Sequence, residues 1–185
     1  AYMLGRVNFN PLRHIDPVGT ILVPAILLLP ALLWGGRPFL FGWAKPVPVN
    51  FNRLYRPRQD MVWVAIAGPG VNIALAYASA LALHLIPLFP GTAGLWAGQN
   101  LLNSVQINLV LAVFNMIPLP PLDGGRVAVG LLPRRIGYAV SRVEPFGFMI
   151  IIGLLFLTPQ LNLFQWLLGV PVSYLSSLIA LAAGH

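Results

Sequence analysis

The stretch Asn115-Met-Ile-Pro-Leu-Pro-Pro-Leu-Asp-Gly-Gly-Arg126 decides how the rest of the chain is read. It closes a mainly apolar run, Leu101 to Ile117, with three prolines, and then presents one carboxylate, Asp123, directly before two glycines. The chain has four acidic residues among 185, and an acid at the lip of a hydrophobic segment is costly to place. Two uses of Asp123 stand open from the residues alone. It caps backbone amides or pairs with Arg126 three positions on, or it serves as a ligand or acid-base group that needs a cation or a proton to be tolerated there. The prolines before it and Gly124-Gly125 after it suit a rigidly presented side chain.

Composition sets the environment. Hydrophobic residues make up 58% and charged residues 8%, whereas a soluble domain carries roughly a quarter charged residues. Fifteen charged groups are too few to cover a soluble globule of this size, so the chain reads as an integral membrane protein whose solvent is the lipid bilayer. The net charge of +7 does not imply nucleic acid, because the basic residues fall in loops between apolar runs and form no aromatic-laced patch. Cysteine is absent, which excludes disulfides, thiolate metal sites and a cysteine nucleophile. The expected fold is all-α, with about four to five transmembrane or re-entrant helices and short extended loops, in a single domain over residues 1–185.

Outward from the quoted stretch, the segments follow from hydropathy and charge. Val18 to Trp34 is an apolar run of 17 residues interrupted by Pro24 and Pro30, at the lower limit for crossing a hydrocarbon core of about 30 Å; charge bias at Arg6 and Arg13 favours re-entry over a full span. Met61 to Phe89 is the clearest transmembrane stretch. Its Ala67-Gly-Pro-Gly-Val-Asn72 allows close helix approach, and Asn72 in the apolar interior needs a partner. Pro90 to Gly98 has no charge and is expected as an outer loop, after which Leu101 to Ile117 crosses back. The basic loops 35–60 and 118–144 are expected on the cytoplasmic side, the first with a short extended strand at Lys45 to Asn50. Phe146 to Leu157 and Leu163 to Ala183 are expected to form a terminal hairpin around Thr158-Pro159-Gln160.

Several blocks now resemble a known family. Asn115-x-x-Pro118-x-Pro120-x-Leu122-Asp123-Gly124-Gly125 is similar to the second signature of the site-2 protease family, membrane-embedded zinc metalloproteases in which the Asp of Leu-Asp-Gly is the third zinc ligand. Gly5 to Thr20 (GRVNFNPLRHIDPVGT), Gly42 to Asn50 (GWAKPVPVN) and Ala67-Gly68-Pro69-x-x-Asn72 resemble the bacterial and archaeal branch, in the family's order. The resemblance implies zinc held by two histidines and Asp123, a membrane-protein or peptide substrate, and a prokaryotic cell membrane. It further implies a substrate cleft with Asn115, Pro118 and Asn72 as candidates, the asparagines being equally suited to interhelical hydrogen bonds. By the same resemblance, the Lys45 to Asn50 strand pairs with an unwound substrate.

One departure is as informative as the matches. The family's His-Glu-x-x-His, which supplies two zinc ligands one helical turn apart and the glutamate that activates water, occurs nowhere in the sequence. His14, His84 and His185 stand alone, and the single glutamate, Glu144, has no histidine nearby in sequence. Truncation ahead of Gly5 is the expected cause, and the chain as given is expected to hold no catalytic zinc. Two other classes stay open. A non-catalytic membrane homologue would bind or regulate substrates through the same cleft, and a small transporter would use Asp123 and Asn72 as a polar pathway but would be expected to show related halves.

Overall fold

A computed structural model describes residues 15–35, 55–147, 149–151, 153 and 165–184. The chain separates into two compact units, 1–50 and 51–185. Every regular element among the described residues is a helix, as composition requires of a backbone that must satisfy its own polar groups in lipid.

In the first unit, Asp16 sets the helix start. Its Oδ1 accepts from the backbone N–H groups of Val18 at 3.0 Å and Gly19 at 2.8 Å, while Thr20 Oγ1 accepts from Asp16 N–H at 3.1 Å. These bonds satisfy donors that a helix terminus leaves unpaired. A π-helical turn, Pro17–Leu22, runs into α1, Val23–Trp34, which keeps Pro30 in its interior and stops at Gly35 with φ of +71°. The stretch Pro17–Pro30 is apolar and shorter than a membrane span. The expected strand at Lys45 to Asn50 lies outside the described residues.

The second unit is built on α2, Pro57–Ala82, extended by a 3₁₀ segment, Leu83–Leu88. Pro57 suits the first helical turn, where no intrahelical N–H bond is lost. Asp60 Oδ2 turns back to accept from Arg56 N–H at 2.9 Å. After Pro90, α3 runs over Gly91–Asn115; a turn leads to α4, Asp123–Leu131, and then to α5, Arg134–Ser141. Helical residues 144–147 and 149–151 follow. A π turn, Gln165–Gly169, opens α6, Val170–Ala183.

The core lies where α2, α3 and α6 meet, around Ala76, Ala80, Leu109, Val172, Ile179 and Ala183. Ala76 and Ala80 are one turn apart and small, so the neighbouring helices approach closely without displacing side chains. Polar ties cross the same seam. Ser79 Oγ and Ser104 Oγ are 2.8 Å apart, and His84 Nε2 lies 2.6 Å from the carbonyl oxygen of Ala183. Outside this core most large apolar side chains face outward, among them Trp63, Leu75, Leu81, Leu102 and Leu178. Water would oppose that surface, whereas lipid does not.

Among the described residues two helices are long and apolar enough to cross a membrane, Pro57–Leu88 and Gln165–Ala183, against the four to five transmembrane or re-entrant helices expected of the whole chain. The helix over Gly91–Asn115 is about 38 Å long at 1.5 Å per residue, but Gln99, Asn100, Asn103, Ser104, Gln106 and Asn108 lower its hydropathy. Two expected loops are helical. Gly91 to Gly98 forms the first turns of α3, because the lack of charge there reflects helix composition and not a connection. The 118–144 segment folds largely into α4 and α5, whose amphipathic nine- and eight-residue patterns are too short to stand out in a search for spans. The turn of the expected terminal hairpin falls outside the described residues.

Candidate functional site

Asp123 opens α4. Leu122 before it is extended, with ψ of 157°, so the chain turns sharply from the proline run into the helix. A carboxylate in a first turn is favoured by the helix dipole. Position, however, depends on the glycines after it. A Cβ on Gly124 would lie 2.2 Å from Met116 O, and one on Gly125 would lie 2.2 Å from Pro120 N. The start of α4 is thus packed directly onto the backbone of the 116–120 turn, an approach that any larger residue would block.

The two carboxylate oxygens face different neighbours. Oδ1 lies 3.9 Å from Arg126 Nη1, one turn along the same helix. Oδ2 faces α2, 3.1 Å from where a Cβ on Gly68 would stand. Burial against α2 pushes the carboxyl above the ordinary aspartate range, and the Arg126 guanidinium pulls it back. The local pairing with Arg126 is therefore present, at the separation of a loose ion pair, and no side-chain capping bond is formed.

The far end of α4 is held by α2 as well. Arg58 donates through Nη2 to Val129 O at 3.2 Å and to Leu132 O, occupying carbonyls that the helix end leaves free. Gly68 and Arg58 thereby fix both ends of α4 on one helix. Sequence reasoning missed both roles: Gly68 was legible only as a small residue, and Arg58 only as one positive charge in a basic loop.

The other candidates are placed as follows. Asn72 lies one turn beyond Gly68 on α2, on the same face by helical periodicity, and is half-buried. Asn115 is the last residue of α3 and also half-buried, and Pro118 is exposed in the turn. Pro118 lines an open apolar cavity of about 310 Å³ with Ile73, Met116 and Ile117, and with Leu167, Pro171 and Leu175 from the C-terminal helical segment. Asn72 and Asn115 border this cavity in sequence without lining it. His84 ties the end of α2 to α6, and His14 and His185 lie outside the described residues.

Zinc needs at least three protein donors in a site of this kind. Among the described residues no three His, Cys, Asp or Glu side chains converge, and Asp123 supplies a single carboxylate. These residues by themselves do not make up a zinc site.

Comparison with known proteins places the chain. Residues 92–158 match the family model described as Peptidase family M50. The chain is 38% identical over 167 residues to the Bacillus subtilis protein named "Putative zinc metalloprotease YwhC", covering 88% of this chain and 69% of that one. It is 36% identical over 166 residues to the Mycobacterium tuberculosis protein of the same designation, Rip2, covering 90% of this chain and 58% of the relative. Rip2 of Mycolicibacterium smegmatis is 30% identical over 160 residues, and the chain spans 56% of its length. No solved structure matches. With the ordered motifs, the helical fold and a relative matched over more than two thirds of its length, the chain belongs to peptidase family M50, the site-2 proteases, a family of membrane zinc metalloproteases.

Proposed function

We propose that the protein is a zinc-dependent endopeptidase that cleaves membrane-associated or transmembrane substrates, with Asp123 as one zinc ligand. In this reading the basic segments 35–60 and 118–144 face the cytoplasm, and α3 crosses the bilayer. Asn72, Asn115 and Pro118 border the substrate cleft, and the apolar cavity beside Pro118 has room for an apolar substrate side chain. The observation that carries the reading is the Asp123 carboxylate, half-buried at the α4 N-terminus and set against Gly68. A structural acid could remain on the surface, and holding one here has an energetic cost. The two histidines and the glutamate that the reading requires do not occur as a His-Glu-x-x-His in these 185 residues. On their own, these residues are expected neither to retain catalytic zinc nor to cut peptides.

The test compares the intact protein with its Asp123→Asn variant, purified in mild detergent, for bound zinc and for cleavage of a single-span reporter. Zinc retention is expected to fall about tenfold or more and cleavage further. Thermal unfolding should stay close to that of the parent, because the ion pair lost is loose. Full zinc and full cleavage in the variant would end the proposal.

A further inference from the structure

At the end of the second unit where α2 begins, Arg56, Pro57, Arg58, Gln59 and Arg134 line an open cavity of about 460 Å³. Three guanidinium groups converge on it from two elements that are more than 70 residues apart in sequence. Two of them are available. Arg134 makes no hydrogen bond or ion pair to any described residue, and Arg56 has only a long contact, 3.4 Å, to Gln59 Oε1. Arg58 is committed through Nη2 to the end of α4 and adds its charge to the lining. Asp60, the acid in the first turn of α2, accepts from the backbone N–H of Arg56 and forms no ion pair with these guanidinium groups.

The depth of this cavity follows from α2 itself. A 26-residue helix is about 39 Å long, more than the roughly 30 Å of a hydrocarbon core, and the charges of Arg56, Arg58 and Asp60 make its first turn the end that extends into the headgroup layer. Aromatic residues bracket this end of α2. Tyr55, next to Arg56 in sequence, is 96% exposed, and Trp63, about 9 Å further along the helix from Pro57, is 72% exposed, a placement that suits interfacial anchors. Next to Arg134, α5 exposes Ile136 and Tyr138 on either side of the buried Gly137, apolar and amphipathic side chains that the membrane boundary accommodates.

We propose that Arg56 and Arg134, backed by Arg58, bind the phosphate of an anionic phospholipid headgroup at the start of α2. Guanidinium groups match phosphate oxygens in geometry and charge, and a cationic cavity at headgroup depth meets that chemistry first. The inference rests on α2 crossing the bilayer and does not depend on proteolysis.

Native mass spectrometry of the full chain in neutral detergent tests it, with phosphatidylglycerol and phosphatidylcholine of identical acyl chains as probes. Phosphatidylglycerol adducts are expected to exceed phosphatidylcholine adducts about tenfold. Arg56→Gln with Arg134→Gln should bring the two lipids level, while Arg142→Gln, outside the cavity, should leave the preference intact. Arg134→Gln alone guards against misfolding, since it breaks no hydrogen bond or ion pair among the described residues, and it should remove a measurable part of the preference. Equal binding of both lipids by the parent, or an unchanged preference in the double variant, overturns the proposal. Loss of phosphatidylglycerol to millimolar inorganic phosphate would assign the cavity to soluble phosphates and overturn the lipid assignment.

Discussion

A methyl group on Gly68 would stand 3.1 Å from Oδ2 of Asp123, so the carboxylate lies directly against the α2 backbone. The pairing joins the Ala67-Gly68-Pro69 block to the Leu122-Asp123-Gly124 block, 55 positions apart in sequence. It makes Gly68 a positioning residue for the acid. Gly68→Ala therefore separates placement from stability. Alanine favours α2 by up to about 1 kcal/mol, so the unfolding midpoint should hold or rise. The carboxylate must yield by a few tenths of an ångström, and cleavage by the intact protein should fall about tenfold. Unchanged cleavage would mean that the position of Asp123 against α2 is not used.

Gly124 and Gly125 face backbone atoms and not flexible side chains, with 2.2 Å between a new Cβ and Met116 O or Pro120 N respectively. Neither neighbour can rotate away. Gly124→Ala and Gly125→Ala should each destabilise by about 3 kcal/mol or more, seen as low yield and early thermal unfolding in detergent. Gly70, where nothing lies within 4 Å, is the matched control. Gly70→Ala should be neutral or slightly stabilising. A well-folded Gly124→Ala protein would contradict the described start of α4.

Arg58 closes the C-terminal end of α4 through Val129 O and Leu132 O. Arg58→Met keeps the aliphatic stem and removes the donors, which should destabilise the protein by about 1–3 kcal/mol. Hydrogen exchange should accelerate chiefly in residues 127–132, and Arg58→Lys should recover part of the protection. Uniform acceleration along the chain, or none, would argue against a local capping role.

Leu109 is fully buried at the meeting of α2, α3 and α6. Leu109→Ala should lower stability by about 2–5 kcal/mol, depending on how far the helices close over the space. Ser79→Ala removes one hydrogen bond to Ser104 across the same seam and should lower it by about 0.5–2 kcal/mol. Denaturation of the two variants in one detergent checks the order; a larger effect from Ser79→Ala would make the polar seam, not packing, the main tie.

What the sequence determined by itself is what composition and local pattern encode. Few charges and long apolar runs dictated helices with outward-facing apolar side chains, since no other backbone form satisfies its own polar groups within short range. The stretch from Asn115 to Arg126 singled out Asp123, and the ordered motifs indicated the family that the comparisons then showed. Tertiary structure decided the rest. The uncharged segment from Gly91 to Gly98 and the basic segment after Pro118 read as loops, yet fold as helices because neighbouring helices supply the partners that hydropathy alone does not reveal. No local signal could place Oδ2 of Asp123 on Gly68, or the Arg58 guanidinium on carbonyls 71 and 74 positions away. Those approaches depend on how closely α2 and α4 pack, which is set by small residues on both helices acting together.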